Sequence, residues 1–119
     1  MKSKKENLRM SKSKVTRIIK FLEGILRERG LNISKIILFG SHAKGGATDE
    51  SDIDLVIVSA DFRRKDIFKR IELTKDAEIM TIKKFMVPLD IITMTPEEYE
   101  SETSLIASYA KEGEIVYAK

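Results

Sequence analysis

Asp52, Asp54 and Asp90, together with the Gly40-Ser41 step, are the residues of this sequence whose types and spacing could do chemistry. Aspartates at i and i+2 of a strand project from one face with their backbones roughly 6 to 7 Å apart, so their carboxylates can clasp a pair of cations about 3.5 to 4 Å apart. Asp90 joins them if its strand lies beside theirs. Without a cation, two carboxylates about 4 Å apart repel by roughly 4 kcal/mol at an effective dielectric of 20, so three together are hard to explain as structure alone. A bound metal or a raised pKa resolves the conflict. Asp90 has a competing explanation, a salt bridge to a buried Lys or Arg.

Gly40-Ser41 supplies the complementary half. The pair ends the apolar run KIILF and opens FGSHAKGGATDESDID. A strand that ends in Gly-Ser and turns into a helix offers backbone N–H groups and a hydroxyl to phosphate oxygens, and glycine lets a ligand approach closely. In isolation the pair reads equally as an ordinary strand-to-helix turn with a serine cap. Set beside a carboxylate cluster, it becomes the equipment for nucleotidyl transfer: cations neutralise a triphosphate, activate an acceptor hydroxyl and stabilise leaving pyrophosphate.

These residues need strands to carry them. KIILF, residues 35–39, is a short buried strand, and DIDLVIVS, residues 52–59, a second. Alternation puts Asp52, Asp54, Val56 and Val58 on one face of the second strand and Ile53, Leu55 and Ile57 on the other, so this strand is central. VPLDIITM, residues 87–94, is a third, with Asp90 interrupting its apolar run. Between the first two, residues 41–51 form a helical turn and a loop whose flexible positions are Gly45 and Gly46.

The remaining segments pack around them. Val15, Ile18, Ile19, Leu22, Ile25 and Leu26 have amphipathic helical spacing, and Gly30 is placed to end that helix. Residues 63–85 make one or two helices, with Ile67, Phe68, Ile71, Leu73, Ala77, Met80 and Ile82 available to a core. Thr95 is an N-cap, Pro96 the first helical residue, Glu97 and Glu98 the first turn, and Gly113 the end of one last helix. EIVYA, residues 114–118, closes as an edge strand or a docked tail. The three tyrosines, Tyr99, Tyr109 and Tyr117, read as core or interface residues.

Composition narrows the chemistry. The 119 residues are 42% hydrophobic and 34% charged, as in an ordinary globular protein, and suit a single domain, residues 11–119, behind a basic flexible arm, residues 1–10. With no cysteine and one histidine, a thiolate or multi-histidine site is excluded, and any metal is held by oxygen, which points to magnesium, manganese or calcium. No run is long enough to cross a bilayer, and we expect a cytoplasmic protein without membrane contact. The net charge of +3 hides an asymmetry: residues 1–20 hold eight of the 22 Lys and Arg and one of the 19 Asp and Glu, leaving +7 there and −4 elsewhere. Such an arm could touch nucleic acid or an acidic partner, although a solvated tail is the simpler reading.

FGSHAKGGATDESDIDLVIV resembles the Gly-Ser, spacer, Asp-x-Asp signature of the DNA polymerase beta nucleotidyltransferase superfamily. The short chain looks like its minimal, antitoxin-like branch. Asp90 in PLDIIT matches the family's third carboxylate, so the likeness runs in order through residues 35–94. It implies an α/β (α+β) fold, a small mixed sheet flanked by helices, with two Mg²⁺ (or Mn²⁺) and a nucleoside triphosphate, usually ATP. It also implies roles: Gly40 and Ser41 hold the β and γ phosphates, Asp52 and Asp54 ligate the metals, and Asp90 holds the catalytic metal near the acceptor hydroxyl. His42 departs from the basic side chain found there in many relatives, which weakens phosphate contact from that position.

The function so implied is metal-dependent transfer of a nucleoside monophosphate, AMP from ATP, to an acceptor hydroxyl. Small members of the branch are commonly antitoxins paired with a helical ribonuclease toxin of the HEPN family, and some transfer AMP to it. The alternative is a catalytically silent module of the same fold that neutralises a partner by contact.

Overall fold

The computed structural model describes residues 11–44 and 51–119, so the basic arm and the Gly45-Gly46 loop lie outside the described residues. Helix α1, Lys12–Glu28, starts where the Ser11 side chain accepts the Lys14 N–H at 3.1 Å. It buries the six apolar residues that its spacing singles out, Val15 through Leu26. Its end is a Schellman motif: Gly30 adopts φ +90°, its N–H reaches the Arg27 carbonyl, and the Leu31 N–H reaches that of Leu26.

Strand β1, Ile33–Phe39, begins two residues before the KIILF run, with a register shift between Ile33 and Lys35. The four-residue helix α2, Ser41–Lys44, follows, and then β2, Ile53–Ser59. A 3₁₀ turn, Ala60–Phe62, leads to one long helix α3, Ile67–Phe85, capped by Asp66. Strand β3 is Leu89–Met94, short helices α4 and α5 are Pro96–Glu100 and Leu105–Lys111, and β4 is Glu114–Ala118.

The sheet is mixed, in the order β3-β2-β1-β4. β1 pairs antiparallel with β2 and β4, and β2 pairs parallel with β3 through the α3 crossover. The C-terminal end of β1 therefore meets the N-terminal ends of β2 and β3 at one edge of the sheet. β4 is the edge strand that EIVYA suggested.

Each face of β2 has its own core. Ile53, Leu55 and Ile57 join α1 and Phe62 on one side, while Val56 and Val58 join Met94, Tyr99, Ala107 and Ala110 on the other. Ile18, Leu22 and Leu26 of α1 are fully buried, and truncating any of them to alanine costs about 2 to 5 kcal/mol.

Two elements differ from the sequence expectation. α3 does not bury Ile67, Phe68, Ile71, Leu73 or Met80, all of which are exposed; its buried face is Thr74, Ala77 and Thr81. These small residues recur at i, i+3 and i+7, and the Thr81 hydroxyl is satisfied within the helix by the Ala77 carbonyl at 2.7 Å. The expected single C-terminal helix is two, because residues 101–104, Ser-Glu-Thr-Ser, bond locally. The Thr103 N–H donates to the Ser101 hydroxyl, and Ser104 caps α5 by accepting the Ala107 N–H. Thr95 does cap α4, as part of a full capping box with Glu98, with Pro96 at its first turn.

Candidate active site

Asp54 and Asp90 are register partners on adjacent parallel strands, each the second residue of its strand. Both lie on the face that carries Val56, Val58, Ile92 and Met94, the side covered by α4 and α5. Adjacent strands run about 4.8 Å apart, so the two side chains leave the same edge of the sheet as neighbours. Asp52 stands exposed one residue before β2, at the mouth of the strand.

Gly40 completes the arrangement from β1. It adopts φ +73°, and a Cβ built there would run into the Asp54 carboxylate, with Cγ at 3.2 Å. The backbone of Gly40 is thus pressed against the acid. Ser41 follows as the exposed first residue of α2, whose turn is closed by the Ala43 N–H on the Gly40 carbonyl at 3.2 Å. The His42 ring is 3.2 Å from the Ser51 carbonyl, which ties α2 to the segment entering β2.

The electrostatics reflect crowded negative charge. Burial raises the Asp54 carboxyl above the ordinary carboxylate value, the charges of Asp90 and Asp52 raise it further, and His42 partly offsets them. Burial and the Asp90 charge likewise raise Glu78, which reaches toward this edge from α3. Sequence reasoning missed Glu78, because nothing in the charged α3 segment marks which of its acids faces β3.

The donor set suits an oxygen-ligated divalent cation: Asp54 and Asp90 are in register on adjacent strands, and the missing side chain of Gly40 leaves room for the Asp54 carboxylate. Among the described residues no three His, Asp or Glu side chains gather closely enough to hold one ion.

Two residues beyond the acids, the same face becomes apolar. Phe39, Val56, Ile92, Leu105, Ile106 and Tyr109 line a cavity of about 260 Å³, with the Phe39 and Tyr109 rings edge to face at 5.8 Å. Tyr99 is buried and carries Lys35 and Lys111 over its ring, while Tyr109 is half exposed. Arg63, which precedes α3, and Arg70 within it pair with Glu97 and Glu98 of α4. No helix among the described residues is long and apolar enough to cross a membrane.

A putative protein adenylyltransferase of Methanocaldococcus jannaschii is 28% identical over 78 residues, 66% of this chain and 52% of that protein. A second from the same organism is 69% identical over 26 residues, 22% of this chain and 26% of that one. The matches thus span about half of one relative and a quarter of the other. Among solved structures, a putative nucleotidyltransferase from Sulfolobus solfataricus superposes with a TM-score of 0.57 at 20% identity, covering 92% of this chain and 91% of that one. A toxin–antitoxin structure with AMP-PNP superposes at 0.61 and 21% identity, covering 87% and 73%. A mutant MntA–HpeT toxin–antitoxin structure does so at 0.56 and 16%, covering 92% and 75%. At these identities the likeness is one of fold. The model of the nucleotidyltransferase domain matches residues 18–116, which include all four strands but for the last two residues of β4, and the protein belongs to that family.

Proposed function

We propose that the protein is an adenylyltransferase that moves AMP from ATP to a hydroxyl of a partner protein, with Asp52, Asp54 and Asp90 as its metal-binding acids. The observation that carries this reading is the in-register pair Asp54 and Asp90 with Gly40 packed on Asp54. Two Mg²⁺, held by the three carboxylates, would neutralise the triphosphate and the leaving pyrophosphate. Gly40 and Ser41 hold the β and γ phosphates through backbone N–H and hydroxyl at the start of α2. Phe39 and Tyr109 offer the apolar cavity beside them to the nucleobase.

Asp90 stands nearest the acceptor side, on the outer strand, and takes the hydroxyl proton. The acceptor oxygen then bonds the α-phosphorus as the bond from that phosphorus to the bridging oxygen breaks, and pyrophosphate leaves with the electron pair. ATP and Mg²⁺ are cytoplasmic, which is where this chemistry would run. The partner we favour is a helical HEPN-family ribonuclease toxin; similarity to toxin–antitoxin structures supports a protein partner.

The test is calorimetric titration of ATP with and without Mg²⁺ into wild type and Asp54→Asn, followed by transfer of labelled AMP to a co-expressed partner. Metal-dependent binding that Asp54→Asn abolishes supports the reading. A folded wild type that binds no ATP, alone or with its partner, favours the contact-only module instead.

A further inference from the structure

β3 is an outer strand of the sheet, with β2 on one side and no strand among the described residues on the other. Backbone groups alternate in direction along a strand, so half of the N–H and C=O groups of Leu89–Met94 point away from β2. Proteins usually blunt such an edge with Lys, Pro or a bulge. This one is left smooth: Ile91 to Met94 carry no charge, and the pairing with β2 runs without a shift from Ile53↔Leu89 to Val58↔Met94.

A groove of about 440 Å³ follows that edge. α3 forms one wall with Ile67 and Ile71, and the α4–α5 junction forms the other with Ser101 and Ile106. Ile67, Ile71 and Ile106 are 57%, 46% and 54% exposed, although each lines a concave surface. In the floor, the buried Thr93 hydroxyl has no hydrogen-bond partner among the described residues.

The two ends of the groove differ. At one, Arg70 of α3 holds Glu98 of α4 with both terminal guanidinium nitrogens, at 2.7 and 3.2 Å, and so ties the walls together. At the other lies Glu78, close enough to Asp90 beyond the lining for the charge of one to act on the other. The edge from Asp90 to Thr93 offers roughly 10 Å at about 3.3 Å per residue.

We propose that this groove receives an extended segment of the acceptor protein, which pairs along the free edge of β3 with apolar side chains at alternate positions and a Lys or Arg at its Glu78 end. An extended occupant follows from the unpaired backbone, which rewards main-chain pairing over a docked helix. The basic residue follows from Glu78 in the lining, and that end brings an adjacent hydroxyl to Asp90. The proposal deepens the adenylyltransferase reading and rests on it for the delivery of the hydroxyl.

The experiment selects random twelve-residue peptides, displayed on phage, against the immobilised chain. Recovered peptides are synthesised with a fluorophore and titrated by anisotropy into wild type, Ile67→Lys and Ile71→Lys, whose exposure leaves the core intact. We expect alternating apolar positions with a basic end, at least tenfold weaker binding by each variant, a strand signature in isotope-edited infrared spectra, and ATP–Mg²⁺ binding within twofold of wild type. No recovered peptide, a helical bound peptide, or binding indifferent to both variants overturns the proposal. A wild-type dimer that Ile71→Lys dissociates also overturns it, since a second copy then covers the groove. Groove-dependent peptide binding without ATP binding overturns the transfer reading and keeps the strand pairing; ATP binding without a groove peptide does the reverse.

Discussion

The Asp54 carboxylate occupies the place where a side chain on Gly40 would begin. Gly40 also adopts φ +73°, which costs an L-residue roughly 1 to 2 kcal/mol, so two independent constraints keep the position bare. Gly40→Ala should therefore displace Asp54 while the protein still folds. A displacement near 1 Å at a reacting centre costs about 100-fold, and AMP transfer should fall by that order. Labelled transfer beside a circular dichroism melt checks it; an Ala variant with full transfer would show that the close approach has no catalytic role.

Asp54 carries a sign that metal should invert. Its folded carboxyl is raised by burial first, then by Asp90 and Asp52, so ionised Asp54 works against the fold. That penalty is present in full above the raised folded value and disappears as pH falls below the unfolded one. In EDTA at pH 7, Asp54→Asn should melt above wild type. With millimolar Mg²⁺ wild type should gain stability and the variant should not, as mass action requires of a cation that binds only the folded acids. Scanning calorimetry in the two buffers reads both effects, and a variant that melts below wild type in EDTA contradicts the argument.

Glu98 has the opposite sign. Burial pushes its carboxyl up, but hydrogen bonds from Arg70 and from the Thr95 N–H outweigh it, and the folded value is lowered. Its stabilisation is thus present above the unfolded value and lost as pH falls through the folded one. Glu98→Gln should be less stable at pH 7 by under about 1 kcal/mol, because the half-exposed pair is screened. The difference should vanish toward pH 3 in urea titrations, and a gap independent of pH would assign the loss to capping geometry alone.

The strand core and its acids were readable because period-two alternation survives in eight residues: Asp54 falls on the same face as Val56 and Val58, and the structure packs those two separately from Ile53, Leu55 and Ile57. The pairing of Asp90 with Asp54 was only conditional, since nothing local dictates which strands become neighbours. α3 misled because an apolar residue at helical spacing looks the same whether a core or a groove takes it. Its contact side is Thr74, Ala77 and Thr81, small residues that let the helix lie close, while Ile67 and Ile71 face the groove. The split after Glu100 had a local signal in three hydroxyl side chains within four residues, which the strong cap at Thr95 and the stop at Gly113 overshadowed.

Met86 ends α3 in the left-handed conformation at φ +55°, ψ +40°, with its N–H on the Ile82 carbonyl at 2.7 Å and 81% of its surface exposed. A side chain so exposed contributes little burial, while its backbone conformation costs roughly 1 to 2 kcal/mol that glycine does not incur. Glycine in turn loses about 0.4 to 1 kcal/mol through the greater freedom of the unfolded chain. The balance favours Met86→Gly by about 0.5 kcal/mol, which at this size raises the melting temperature by a few degrees. ATP binding should be unchanged, since Met86 lies outside the cavity and the groove. A lower melting temperature would mean that Met86 packs against something the folded chain does present, and a gain of several kcal/mol would mean that the unfolded chain already turns there.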